Sequence, residues 1–260
     1  MIEVKTNKGI NYVVEDCRDK KTAVWKLIEN NVDLKGAILY GTDFSGFNFS
    51  GIDLSEVDFR DCIFKDADFE GAILKNTNFE NTNLSGVSFN KANLSGANLS
   101  GANITNANFK SANLSVANLS GAIIYGANFK GASLECANLR GADFDSADLE
   151  SANLKGADLK NTTLYKTNLK GADLKGADLT GANVNDADLT GANFDSASWP
   201  LSCQSLYTII DDRVRIQLLY HAAKPAGDIT DPDLKELLQS ELFKRVANKF
   251  HRVPKDCGKV

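Results

Sequence analysis

From Leu34 to Trp199 every fifth residue is large and apolar, 34 consecutive positions of which 19 are Leu and 11 are Phe. Two residues before each, from Val32 to Ala197, stands a second inward-looking position, Ala in 23 of the 34 pentads and otherwise Thr, Val, Cys, Ile or Phe. Neither position ever carries a charge. The residue just before the large one is mostly Asn or Asp, and the position two after it holds 17 of the 20 glycines. Helices repeat at about 3.6 residues and strands at about 2, so a sustained period of five fits neither, and the chain must turn a corner once per pentad. Gly, Asn, Asp and Ser suit those corners, where positive φ or a side-chain-supported turn is needed. The pattern is that of a solenoid.

Sorting the large residues twenty apart gives four columns. One is Leu from Leu34 to Leu174 and ends in Phe194; another runs Phe49, Phe69, Phe89, Phe109, Phe129 and then becomes Leu149, Leu169, Leu189. The β-branched Ile104, Ile124 and Val184 share a third. Stacked interior ladders put like on like when shape must match between coils, so this period predicts four sides per turn. Phe47, the one aromatic residue at a small inward position, predicts a local bulge.

Ala97-Asn98-Leu99-Ser100-Gly101 and Ala172-Asp173-Leu174-Lys175-Gly176 carry the pattern A(D/N)LxX, and in it the sequence resembles the pentapeptide repeat family over residues 32 to about 200. That resemblance implies a mainly β fold, a right-handed quadrilateral β-helix with about four repeats per coil. The 34 repeats then make about 8.5 coils. At about 4.8 Å per coil the rod is roughly 40 Å long.

A stack of coils exposes an unpaired edge and an open core at each end, so the flanking segments read as caps. Residues 1–31 predict a hairpin, Ile2–Thr6 with Ile10–Val14 around Asn7-Lys8-Gly9, then a short helix that lays Val24, Trp25, Leu27 and Ile28 on the first coil. Residues 32–200 form the β-helix. Residues 201–260 read as two helices after Trp199-Pro200, the first over about Asp211 to Ala223, the second starting at Asp231-Pro232. Leu234, Leu237, Leu238, Leu242, Val246 and Phe250 lie along one face of the second helix, which either roofs the last coil or pairs with its copy in a homodimer. Gyrase-protecting members of the family dimerise through a C-terminal helix, but this segment is longer than theirs.

Charge enters as bands. Residues 31–200 hold 21 acidic and 13 basic residues, a net of −8, while residues 1–30 carry +1 and residues 201–260 carry +2. Asp58, Asp61, Asp66, Asp68 and Glu70 form one acidic cluster, and Asp143, Asp145, Asp148 and Glu150 a second four coils on. The family resemblance attaches DNA mimicry to such a rod: carboxylates presented where phosphates would lie, engaging a type II topoisomerase or another DNA-binding enzyme. The plainer reading is that outward Asp residues keep a repetitive rod soluble. It is favoured by the Asn-rich middle coils and by lysines that interrupt every candidate stripe. Direct nucleic-acid binding is disfavoured, since an acidic rod repels phosphate.

Catalytic chemistry is scarce. Both histidines, His221 and His251, lie in the last 40 residues, and acid pairs such as Asp143 and Asp145 on a convex wall have no pocket in which to shift a pKa or hold a substrate. No phosphate-binding loop, dinucleotide glycine pattern or nucleophile elbow occurs. The expected protein is not an enzyme and needs no cofactor. Cys203, His221, His251 and Cys257 match a Cys2His2 zinc set by count but not by spacing, so a metal-linked role of the tail is the weakest reading. Five widely spaced cysteines without CxxC read as reduced thiols, with Cys62 in the core. No leader or membrane span is evident, so the expected location is cytoplasmic. The sequence points to a non-enzymatic protein-interaction rod with a protein partner; the alternative is a scaffold or targeting module whose C-terminal helices bind the partner.

Overall fold

The structure, a computed structural model, describes residues 1–198. Parallel bridges join residues twenty apart in unbroken register, from Ile38 with Asp58 to Asp178 with Ser198. Each wall contributes one bridging residue per coil rather than a longer strand, because the chain leaves the wall at the next corner.

The pentad Ala97–Gly101 shows why the sequence repeats as it does. Ala97 N–H donates to the Leu94 carbonyl at 2.9 Å across the corner, and Asn98 N–H reaches back to Thr77 at 2.9 Å. Leu99 and Gly101 donate forward to Asn118 and Ser120 at 2.7 and 3.0 Å. That leaves the Ser100 N–H, which the Asn98 Oδ1 accepts at 3.1 Å. Backbone donors must find partners when removed from water, so the position before the large residue selects Asn or Asp. The same bond recurs at Asp53, Asn78, Asp143 and Asn193. Gly101 closes the corner at φ 65, and Asp61 and Cys136 take the same left-handed conformation at φ 54 and 55.

Inside the coils the large residues are fully buried, each contributing about 1.5–3 kcal/mol of transfer free energy. Phe49, Phe69, Phe89, Phe109 and Phe129 stack with ring centroids 4.7–5.0 Å apart, the spacing of the coils themselves. At the small inward position the side chains of Cys62, Thr77, Thr82, Thr162 and Thr167 hydrogen-bond to backbone carbonyls. Thr77 and Thr167 hydroxyls donate to the Leu54 and Phe144 carbonyls at 3.1 and 2.8 Å, and the Cys62 thiol to Leu39 at 3.1 Å.

Ahead of the solenoid, β1 (Ile2–Lys5) pairs antiparallel with β2 (Asn11–Val14). The hairpin is stitched to the first coil by the Thr6–Ala37 bridge and by Ile38 N–H donating to the Lys5 carbonyl at 2.7 Å. The helix α1 (Lys20–Glu29) starts at Asp19, whose carboxylate accepts Thr22 N–H at 2.7 Å. It stops at Asn31, φ 55, with Asn31 and Val32 N–H returning to the Ile28 and Leu27 carbonyls at 2.9 Å each. This is a Schellman stop, and its last residue, Val32, is the first inward residue of the repeat.

Two expectations need correction. Ala23, Val24 and Leu27 are buried and Ile28 packs against the core, but Trp25 is 49% exposed; one step along the helix from Val24, it turns about 100° away from the core. At Phe47 there is no bulge. Asn48 stays bridged to Asp68, and the Phe47 carbonyl accepts Asp68 N–H at 3.0 Å. In the first coil, no preceding coil crowds the ring, which packs at 4.4 Å from Phe49 and 5.5 Å from Phe44.

Candidate protein-interaction surface

Three positions per pentad face outward: the residue before the large one, the residue after it, and the corner residue that follows, as at Val116, which is 63% exposed. The walls are numbered by the columns headed Leu34, Leu39, Phe44 and Phe49. Asp58 lies on the second wall, held by Arg60 Nε and Nη2 at 3.0 and 2.8 Å. This paired hydrogen bond, outweighing the effect of burial, holds its carboxyl below the usual range. Asp61 and Asp66 sit at the corners on either side of the third wall. On the fourth wall Asp68 accepts from the Ser50 hydroxyl at 3.0 Å, and Glu70 accepts from Asn90 at 2.8 Å. The first cluster therefore wraps three walls.

The second cluster is tighter. Asp143 and Asp145 share the third wall, Asp143 accepting Asp145 N–H at 3.1 Å and Asp145 the Ser146 hydroxyl at 2.6 Å. On the fourth wall Asp148 accepts from Asn168 at 2.9 Å, while Glu150 is paired with Lys130 at 2.8 Å. Asp68 and Asp148 stand in one column, and Glu70 and Glu150 in the next. Lys110 and Lys130 fall between the two glutamates in that column. Among the described residues Asp61, Asp66, Asp68, Asp143, Asp145 and Asp148 make no ion pair.

Sequence columns alone did not isolate the basic partners Arg60 and Lys130 that cancel Asp58 and Glu150. Nor did they isolate the uncharged part of the third wall, where Ile123 and Tyr125 are 48% and 49% exposed. A count of exposed positions column by column would have found both.

Among the described residues no cluster of His, Cys, Asp and Glu is arranged to hold a metal ion, and no helix is long and apolar enough to cross a membrane. The expected C-terminal helices, the face from Leu234 to Phe250, and the set Cys203, His221, His251 and Cys257 lie outside the described residues.

The family model for pentapeptide repeats matches in eight copies between residues 30 and 195. No curated protein matches the chain. Among solved structures, the chain is 25% identical to HetL, a pentapeptide repeat protein involved in heterocyst differentiation regulation from the cyanobacterium Nostoc sp. strain PCC 7120; the match covers 68% of this chain and 91% of HetL, with a TM-score of 0.37. QnrB1, a plasmid-mediated fluoroquinolone resistance protein, is 21% identical over 70% of this chain and 95% of its own, with a TM-score of 0.31. A pentapeptide repeat protein of the Arabidopsis thaliana thylakoid lumen is 30% identical over 53% of this chain and 75% of its own, with a TM-score of 0.27.

Proposed function

The chain belongs to the pentapeptide repeat family, and on that premise we propose that it works without catalysis, as a rigid rod whose flat walls bind a protein partner. The observation that carries this reading is the pair of acidic levels on the third and fourth walls. Asp61, Asp66 and Asp68 stand at one level and Asp143, Asp145 and Asp148 at the other, none of them ion-paired among the described residues. Four coils separate the levels, about 19 Å at the spacing of parallel strands. A backbone bonded coil to coil holds these charges at fixed separation, so a partner with basic groups at matching distance meets them without ordering cost.

In its finer form the partner is a DNA-binding enzyme such as a type II topoisomerase, with the carboxylates occupying phosphate positions. The measurement is gyrase binding and supercoiling activity with the full chain. Asp68→Lys with Asp148→Lys is expected to weaken binding by at least about tenfold, more so at low salt. Gyrase that neither binds the chain nor changes its activity removes the DNA-mimic form. Binding unaffected by the charge reversals moves the contact off the acidic levels.

A further inference from the structure

On the second wall Ile38 bridges Asp58 in parallel register, and Arg60 stands one coil beyond Tyr40. The Arg60 guanidinium donates to Asp58 through Nε and Nη2 at 3.0 and 2.8 Å, and it lies 6.0 Å from the centre of the Tyr40 ring. The third wall repeats this frame. Ile123 bridges Asp143 in the same register, with Tyr125 in the place of Tyr40 and Phe144 in that of Phe59. Only the base is missing, because Asp145 takes the position of Arg60. We propose that this part of the third wall binds an arginine side chain of a protein partner, its guanidinium pairing with Asp143 and Asp145 against the Tyr125 ring as Arg60 pairs with Asp58 beside Tyr40.

This assignment rests on the proposed role of the acidic levels and specifies the group that meets them. The two frames share their backbone: Leu39 and Gly41 N–H donate to the Asp58 and Arg60 carbonyls at 3.0 Å each, and Ile124 and Gly126 N–H to those of Asp143 and Asp145 at 2.7 and 2.9 Å. Ile123 and Tyr125, both about half exposed, form an apolar rung beside the two carboxylates. Asp143 Oδ1 accepts the Asp145 N–H and Asp145 Oδ1 the Ser146 hydroxyl, so the Oδ2 of each has no hydrogen bond among the described residues. The neighbouring bases are engaged elsewhere. Lys130 pairs with Glu150 at 2.8 Å, Arg140 with Asp158 at 3.5 Å and Lys160 with Asp178 at 2.6 Å, while the Lys166 ammonium lies 4.8 Å from the Tyr165 ring. Even with Lys166 counted, Asp143, Asp145 and Asp148 leave the patch negative. A planar guanidinium pairs with carboxylates through several N–H groups while resting on an aromatic face, which a compact ammonium does less well, so the frame selects arginine over lysine.

The test titrates the full chain with two acetylated and amidated peptides, Val-Arg-Val-Arg-Val and Val-Lys-Val-Lys-Val, while the backbone amide shifts of residues 121–146 are followed by NMR. The arginine peptide is expected to saturate and to bind at least about fivefold more tightly than the lysine peptide. Tyr125→Ala should remove that preference and Tyr40→Ala should leave it. Asp145→Arg rebuilds the second-wall frame on the third and should abolish the shifts with the circular dichroism spectrum unaltered. No saturation up to about 1 mM, equal affinity for the two peptides, or a preference that survives Tyr125→Ala overturns the proposal. Equal affinities that both fall in Asp143→Asn remove only the selectivity for arginine and keep the acidic level as a surface for basic groups. Affinities that Asp143→Asn does not move remove that broader reading at this level as well.

Discussion

The Lys160 ammonium lies 2.6 Å from the Asp178 carboxylate, one coil onward. The same diagonal step joins Lys35 to Asp53 at 3.0 Å, Lys155 to Asp173 at 3.1 Å and Lys170 to Asp188 at 3.0 Å. In each pair a base just after one large residue meets an acid just before the large residue of the next coil. Exposed pairs of this kind contribute little stability singly, about 0–1 kcal/mol. Their larger effect is to neutralise wall carboxylates, which leaves Asp143, Asp145 and Asp148 as the outstanding charges of the second acidic level.

The hydrogen bonds from Lys160 and Thr180 depress the Asp178 carboxyl to about 2. Its unfolded value is about 3.9, so the pair stabilises the fold above roughly pH 4, and that contribution is lost as pH falls toward 2. A carboxyl-detected NMR titration is expected to find the midpoint of Asp178 near 2. In Lys160→Met it should rise toward the ordinary carboxylate range. An unchanged midpoint would show that the ion pair does not form in solution.

Asn98 accepts from the Ser100 N–H at 3.1 Å, and its side-chain amide donates a hydrogen bond to Asn78 and accepts one from Asn118, at 3.2 Å each. Asn98→Ala should lower the urea midpoint by the equivalent of about 1–3 kcal/mol, because a backbone donor loses its acceptor. Asn98→Asp keeps that acceptor and should cost less. Equal losses in the two variants would assign the stability to the amide ladder instead.

Phe109 is sandwiched between Phe89 and Phe129 at 4.7 Å on either side. Phe109→Ala opens a cavity in a column that cannot collapse without breaking register, and is expected to cost about 3–5 kcal/mol. Phe109→Leu should cost less than about 2 kcal/mol, since the same column passes to Leu at Leu149. Thermal and urea melts of the two variants check the difference.

Burial pushes the Cys62 thiol up to about 11, while Cys136 is exposed at a corner. A thiol reagent at pH 8 followed by peptide mass mapping should modify Cys136 in the native protein and Cys62 only after unfolding. Early modification at Cys62 would mean that the first coils open readily.

The solenoid was legible because one rule, a large apolar residue every fifth position, acts on all coils alike, and its columns carry over to the stacked Phe49–Phe129 series. Phe47 misled because a residue in the first coil has a neighbour on one side only, and the space a bulge would have supplied already exists there. Trp25 misled because a ten-residue helix offers few turns from which to fix which apolar residues face inward. The acidic residues were readable as a composition, but their standing was not. Whether a carboxylate is free or cancelled depends on a base one coil away, as Asp178 does on Lys160, and that relation appears only when the walls are laid out.

The five backbone hydrogen bonds donated by each pentad, as in residues 97–101, also make rod length a stepwise variable. Since each coil presents the same donors forward and the same acceptors back, excising or duplicating twenty residues lets the flanking coils rejoin with both neighbours none the wiser. The gap between the levels of Asp68 and Asp148 is thereby graduated in increments of about 4.8 Å, and a partner of different span could be matched by adding or dropping a rung rather than by reshaping a surface.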